Sequence, residues 1–166
     1  MNLNEMIDSE MEIEEDTQKD KYLVFTIDKE KYGIEIKYVI EIIGIQTITK
    51  VPELDDYIKG IINLRGKIIP VMDVRVRFKK PVMEYDDRTC IVVVDVGELT
   101  VGLIVDRVSE VVNISEDQVV LPPITSKKAK NKYINGIGKI GEEVRLLIDC
   151  NKLLNDDDKD TIKELI

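Results

Sequence analysis

Short apolar runs alternate with polar turns through most of this chain, at the spacing of strands rather than of helices. Leu23, Val24, Phe25, Thr26 and Ile27 are followed by polar Asp28 to Lys31 and then by Tyr32 to Ile36, which predicts a hairpin. Val39, Ile40, Ile42 and Ile43 fit either a short helical turn or a third strand, ended by Gly44, and Thr47 to Val51 runs extended into Pro52. Gly60 to Leu64 and Ile68 to Val71 flank Gly66, the pattern of a second hairpin with a tight turn. Asp73 then stands where it can cap one helical turn through Val74, Val76 and Phe78. Polar Lys79 to Asp87, with Pro81, reads as a linker.

A second block follows: Thr89 to Val96 and Leu99 to Val105 as a hairpin, Val108 to Val112, Ile114 to Leu121, and a hairpin from Tyr133 to Ile148. It repeats the first. Gly33, Ile34, Ile36, Val39, Glu41 and Ile42 fall on Gly102, Leu103, Val105, Val108, Glu110 and Val111 at a spacing of 69 (33 to 102). Tyr57, Ile58, Gly60, Ile61 and Asp73 fall on Tyr133, Ile134, Gly136, Ile137 and Asp149 at a spacing of 76 (57 to 133). The extra residues belong to the Lys127 to Lys132 loop. Two matched halves of about five short strands each predict a mainly β fold of two packed five-stranded barrels made by internal duplication, with short helical turns. The boundaries read as an acidic arm at 1–20, a first barrel at 21–80, a second at 88–155 and a C-terminal tail or short helix at 156–166. The arm, acidic from Glu5 to Asp20, has little to bury and reads as disordered or a frayed helix.

Composition narrows the partners. With 166 residues, 43% hydrophobic and 34% charged, the chain reads as a globular, cytoplasmic protein with no membrane span and no targeting signal. Its net charge of −9 argues against nucleic acid, and the Lys127, Lys128, Lys130 and Lys132 cluster reads as a solvated loop. Cys90 and Cys150 lack metal or redox spacing and read as buried thiols.

The absence of histidine removes the usual nucleophile pairs and most zinc and iron sites, so no catalytic residue, metal or cofactor is expected. Gly60 to Lys67 is similar to a phosphate loop, but Arg65 stands where that motif, counted from Gly60, needs its second glycine. What remains is the tip Asn63, Leu64, Arg65, Gly66 and Lys67, replaced in the second half by Lys139, Ile140, Gly141, Glu142 and Glu143. A guanidinium on a rigid hairpin is a good anchor for a partner, and a polar tip present in one copy only is a candidate binding feature; a solvated turn is the alternative.

Together, Leu23 to Thr26, Tyr32 to Ile34, Val39 with Glu41, the Gly60, Ile61, Asn63, Leu64, Arg65 and Gly66 stretch, Pro70, Val71, Asp73, and Val101, Gly102, Val105, Asp106 and Val108 resemble the bacterial CheW-like family of chemotaxis coupling proteins from about Tyr22 to Leu154. The resemblance implies two SH3-like barrels about a shared core. It also implies a non-enzymatic adaptor joining the cytoplasmic tip of transmembrane chemoreceptors to the regulatory domain of the histidine kinase CheA, and hence recruitment to the inner face of the membrane. Val39, Glu41, Ile42, Asn63 and Arg65, with Val105 and Val108 in the second half, are the expected receptor-binding residues, and the kinase-binding surface is unassigned. A stand-alone peptide- or ligand-binding barrel outside chemotaxis is the alternative reading.

Overall fold

The structure is a computed structural model that describes residues 18–121, 133–154 and 156–165. Most of the acidic arm and the Lys127 to Lys132 loop therefore lie outside the described residues. The first half contributes β1 (Lys21–Ile27), β2 (Glu30–Glu35), β3 (Val39–Gly44), β4 (Ile58–Leu64), β5 (Lys67–Asp73) and the short helix α1 (Val74–Arg77). The second contributes β6 (Cys90–Val96), β7 (Leu99–Val105), β8 (Arg107–Asn113), β9 (Val119–Val120), β10 (Ile134–Ile140), β11 (Glu143–Ile148) and α2 (Asp156–Leu165). Val39 to Ile43 is thus a strand, with a 3-10 turn at Ile36–Tyr38 before it. Asp156, Asp157 and Asp158 form the first turn of α2, where carboxylates favour the helix dipole. Ile162 from the same helix is buried.

The duplication holds to the level of single hydrogen bonds. Asp73 N–H donates to the Tyr57 carbonyl at 2.7 Å, and Asp149 N–H to the Tyr133 carbonyl at 2.8 Å. Each aspartate also caps the turn that follows it, Asp73 accepting from Arg75 and Val76 and Asp149 from Asn151.

The halves are not the barrels, and here the division at residues 80 and 88 is corrected. One sheet runs β8-β1-β2-β11-β10-β9 and the other β3-β6-β7-β5-β4. The opening hairpin of each half has left its own half: β1 and β2 lie between β8 and β11, and β6 and β7 lie between β3 and β5. Antiparallel ladders join β1 to β8 and β3 to β6, and parallel ones join β2 to β11 and β5 to β7. The exchange needs a close approach on the parallel side. Gly33 lies opposite Leu147 and Gly102 opposite Val71, and a Cβ at Gly102 would come within 2.8 Å of the Val71 side chain.

Central strands consequently bury both faces. Along β6, Ile91 and Val93 point into the barrel with Ile62, Leu64, Ile69, Val71 and Ile104, while Val92 and Val94 point into the core shared by both sheets. The shared core collects Leu23, Phe25, Ile34, Met72, Leu103, Ile148, Leu154 and Ile162 from both halves. Beside it the Arg77 guanidinium lies between the repeat-related rings of Tyr57 and Tyr133, 4.3 and 4.8 Å from their centroids, and donates to the Leu153 carbonyl at 2.7 Å.

Candidate functional site

The tip of the β4–β5 hairpin is built by two residues with positive φ, Arg65 at 51° and Gly66 at 87°, as a two-residue turn matched to strand twist requires. Gly66 tolerates this conformation freely, whereas Arg65 adopts it with a side chain in place. The Asn63 side chain stabilises the turn, its Oδ1 accepting from the Gly66 N–H at 2.8 Å. Asn63 therefore has a local structural role, and Arg65 is the side chain presented.

Arg65 reaches Glu41, to whose carboxylate its Nη2 donates. Glu41 lies on β3, at the opposite edge of the same sheet from β4, so the ion pair draws the two edges together. The Arg65 side chain is 71% exposed and that of Glu41 27%. At that exposure an ion pair contributes only about 0–1 kcal/mol to stability. Arg65 is therefore nearly free, energetically, to exchange part of its contact for a partner.

The repeat sharpens this. Glu110, at the position matching Glu41, also takes an arginine, accepting from Arg145 Nη2 at 2.9 Å. Arg145 comes from the middle of β11, is only 4% exposed, and also pairs with Glu143 at 2.7 Å. The glutamate is common to both barrels and has a structural reason in each. The source of the arginine differs: a buried strand position in one barrel, a solvent-facing tip in the other. Sequence comparison registered the missing tip but missed Arg145, because its counterpart at a spacing of 76 is the apolar Ile69.

The other expected residues are not all gathered here. Val39 is half-buried against the shared core, and Ile42 is 44% exposed on the edge strand. Ile40, 50% exposed, faces outward with Ile42 by the ordinary alternation of the strand. Val105 is 1% exposed in the shared core, so its side chain offers a partner no surface. Val108 belongs to β8 in the other sheet and is half-buried. The site that the fold does assemble is Glu41, Asn63 and Arg65 at a barrel mouth, with Ile40 and Ile42 on the strand edge beside it.

Two curled sheets about one core, each barrel with a glutamate–arginine pair and one with an exposed charged tip beside an apolar strand edge, define a mainly β fold of two packed barrels. Residues 21–158 match the CheW-like domain, and the chain belongs to that family. It is 36% identical over 143 residues to the chemotaxis protein CheW of Klebsiella aerogenes, covering 86% of each chain. It is 33% identical over 136 residues to CheW of Bacillus subtilis, covering 82% of this chain and 87% of that protein. Among solved structures, the scaffolding protein CheW of Thermoanaerobacter tengcongensis is similar at 35% identity with a TM-score of 0.77, covering 84% of this chain and 94% of that chain. This is a chemotaxis scaffold family rather than an enzyme family. Among the described residues no helix is long and apolar enough to cross a membrane.

Proposed function

We propose that this chain couples chemoreceptors to the histidine kinase CheA by binding both, and that the Arg65 tip with the β3 edge is its receptor-facing surface. The observation that carries the proposal is the placement of Arg65, rigidly presented, mostly exposed and held by a pair too weak to matter for stability. The receptor surface is the cytoplasmic tip of a receptor, and the kinase surface is the regulatory domain of CheA. Glu41 sets the guanidinium's direction, and Ile40 and Ile42 add apolar area against a helical partner. Val39 supports this surface from a half-buried position on β3. Through its receptor the chain is held at the inner face of the membrane.

The test is direct binding of the purified chain to a receptor cytoplasmic fragment and, separately, to the CheA regulatory domain. Both are expected to bind, and Arg65→Glu weakens receptor binding by about 2 kcal/mol, the scale of a central interface anchor. Kinase binding by the same variant stays within a factor of two. Binding to neither partner sinks the coupling reading and leaves a barrel module acting elsewhere.

A further inference from the structure

The exchanged hairpins have a consequence for assembly that is independent of the coupling function. Every ladder between the halves, β1 with β8, β2 with β11, β3 with β6 and β5 with β7, is a contact between segments joined only by the linker after α1. Nothing in those ladders depends on the two segments belonging to one molecule. From Pro81 to Arg88 the linker is exposed and has no regular strand or helix. Two side-chain bonds clip it back: Arg75 Nη1 donates to the Pro81 carbonyl at 3.1 Å, and the Tyr85 hydroxyl donates to Asp73 Oδ2 at 2.8 Å. We infer that the linker is a hinge through which this chain exchanges halves with a second copy of itself, giving a dimer in which each two-barrel unit is built from the first half of one molecule and the second half of the other.

The energetic difference between the forms is confined to the hinge. The same strand pairs, the same shared core and the same Arg77 stack form in both, so the balance is set by the clip and by the linker's effective concentration, about millimolar for a short flexible tether. The closed monomer therefore dominates at ordinary concentrations. Because Asp73, Ile104 and Ile91 align across three neighbouring strands, the end of β5 and the start of β6 lie two strand spacings apart, about 10 Å. A linker that cannot fold back across that gap leaves only the exchanged form.

A cross-link placed on a ladder between the halves reads the connectivity. Thr26 on β1 and Ser109 on β8 bring their hydroxyl oxygens to 3.3 Å, close enough for Thr26→Cys and Ser109→Cys to form a disulfide once Cys90→Ser and Cys150→Ser remove the native thiols. In the closed monomer the bond is intramolecular; in the exchanged dimer it joins two chains and survives denaturation. Two arms are run on the full chain. In the first, Pro81 to Arg88 is replaced by fourteen prolines, a stiff rod of about 43 Å. The four remaining linker residues, Phe78, Lys79, Lys80 and Thr89, add at most about 14 Å of chain, too little to bring the rod's ends back together across that gap. The expected product is dimeric by light scattering and runs as a covalent dimer on a non-reducing gel. In the second, the native linker is kept and the cross-linkable chain is refolded at 5 µM and at 500 µM, concentrations on the order of a hundredfold apart and both below the tether's effective concentration. The covalent dimer fraction rises at least tenfold with concentration. A proline-linker protein that is monomeric, or dimeric yet covalently monomeric, overturns the inference. So does a native-linker dimer fraction that stays flat, which decides the matter even where the proline-linker protein fails to fold.

Discussion

At the scale of single residues, three arginines of this chain do three different things, and their surroundings decide which. Arg65 is exposed on a turn and paired across a barrel mouth. Removing it by Arg65→Ala should change the urea midpoint by less than the equivalent of about 1 kcal/mol, while receptor affinity falls. Arg77 is the reverse case. Its guanidinium is stacked between Tyr57 and Tyr133 and donates inside the core, although Nη2 lacks a partner among the described residues. Arg77→Met keeps the volume but removes two cation–π contacts and one charge-assisted bond, and the relief of the unpartnered nitrogen offsets only part of that. The expected loss is about 2 kcal/mol in a denaturant titration, with receptor affinity unchanged. Arg145 lies between them: nearly fully buried, hydrogen-bonded to Glu110 through Nη2 and ion-paired with Glu143, with Nε unpartnered. Its repeat counterpart is Ile69, so Arg145→Ile offers the second barrel what the first already uses. Buried ion pairs replaced by apolar groups of similar size are often neutral or stabilising, and the two glutamates released are exposed enough to hydrate. A melting temperature equal to or above that of the parent chain is expected; a fall of ten degrees would show the pair to be a net stabiliser.

At the scale of elements, hairpins were legible in the sequence and their partners were not. Strand, turn and return strand are written in adjacent residues, as at Leu23 to Ile36 and at Gly60 to Val71, and the aspartate caps at Asp73 and Asp149 repeat with them. Which half a hairpin packs against leaves no local mark, because β2 meets β11 with the same kinds of residue that a partner in its own half would supply. Val39, Ile40, Ile42 and Ile43 were ambiguous because that spacing fits a helical stripe as well as a bulged strand. Val105 was misplaced because a strand buried on both faces has no outward side to read. The tip was found through the repeat, since only comparison with Lys139 to Glu143 distinguishes a presented arginine from an ordinary turn residue. The exchange itself makes a prediction about glycine. A Cβ at Gly102 would meet Ile91 and Val71 at 2.7 and 2.8 Å, whereas one at Gly33 meets only the tip of Leu147 at 3.1 Å. Gly→Ala in a strand gains about 0.4–1 kcal/mol from the unfolded state, and overpacking costs about 1–3 kcal/mol. Gly102→Ala is therefore expected to destabilise clearly and Gly33→Ala to be close to neutral; equal midpoints for the two would mean the parallel junctions are looser than the contacts indicate.

At the scale of the whole molecule, two barrels with exchanged hairpins cannot come apart one at a time. Opening either sheet strips strands from both halves, so a single unfolding transition is expected, with calorimetric and van't Hoff enthalpies equal. Cys150 is the natural reporter of that transition. It is 1% exposed in the shared core, and burial foremost, with Asp149 and Glu35 adding to it, pushes its thiol up to about 12. At pH 8 the native chain should react with iodoacetamide at Cys150 at least about a hundredfold more slowly than the unfolded chain, since both access and thiolate are withheld. The residual rate should climb with denaturant along the slope of global unfolding, not along a shallower one. The same shift sets a direction for alkaline stability. A raised pKa in the folded state means that folding favours the neutral thiol. Its contribution is complete below the unfolded value of 9.0 and is lost as pH rises from there toward 12. The denaturation midpoint should fall across that window, and Cys150→Ala should flatten the fall without removing it. The hydroxyls of Tyr32 and Tyr85, also pushed up by burial and by the carboxylates of Glu30 and Asp73, lose their share in the same direction at higher pH. An unchanged slope in the alanine variant would mean that Cys150 ionises as readily in the folded chain as in the unfolded one, and that the shared core admits water on the timescale of the measurement.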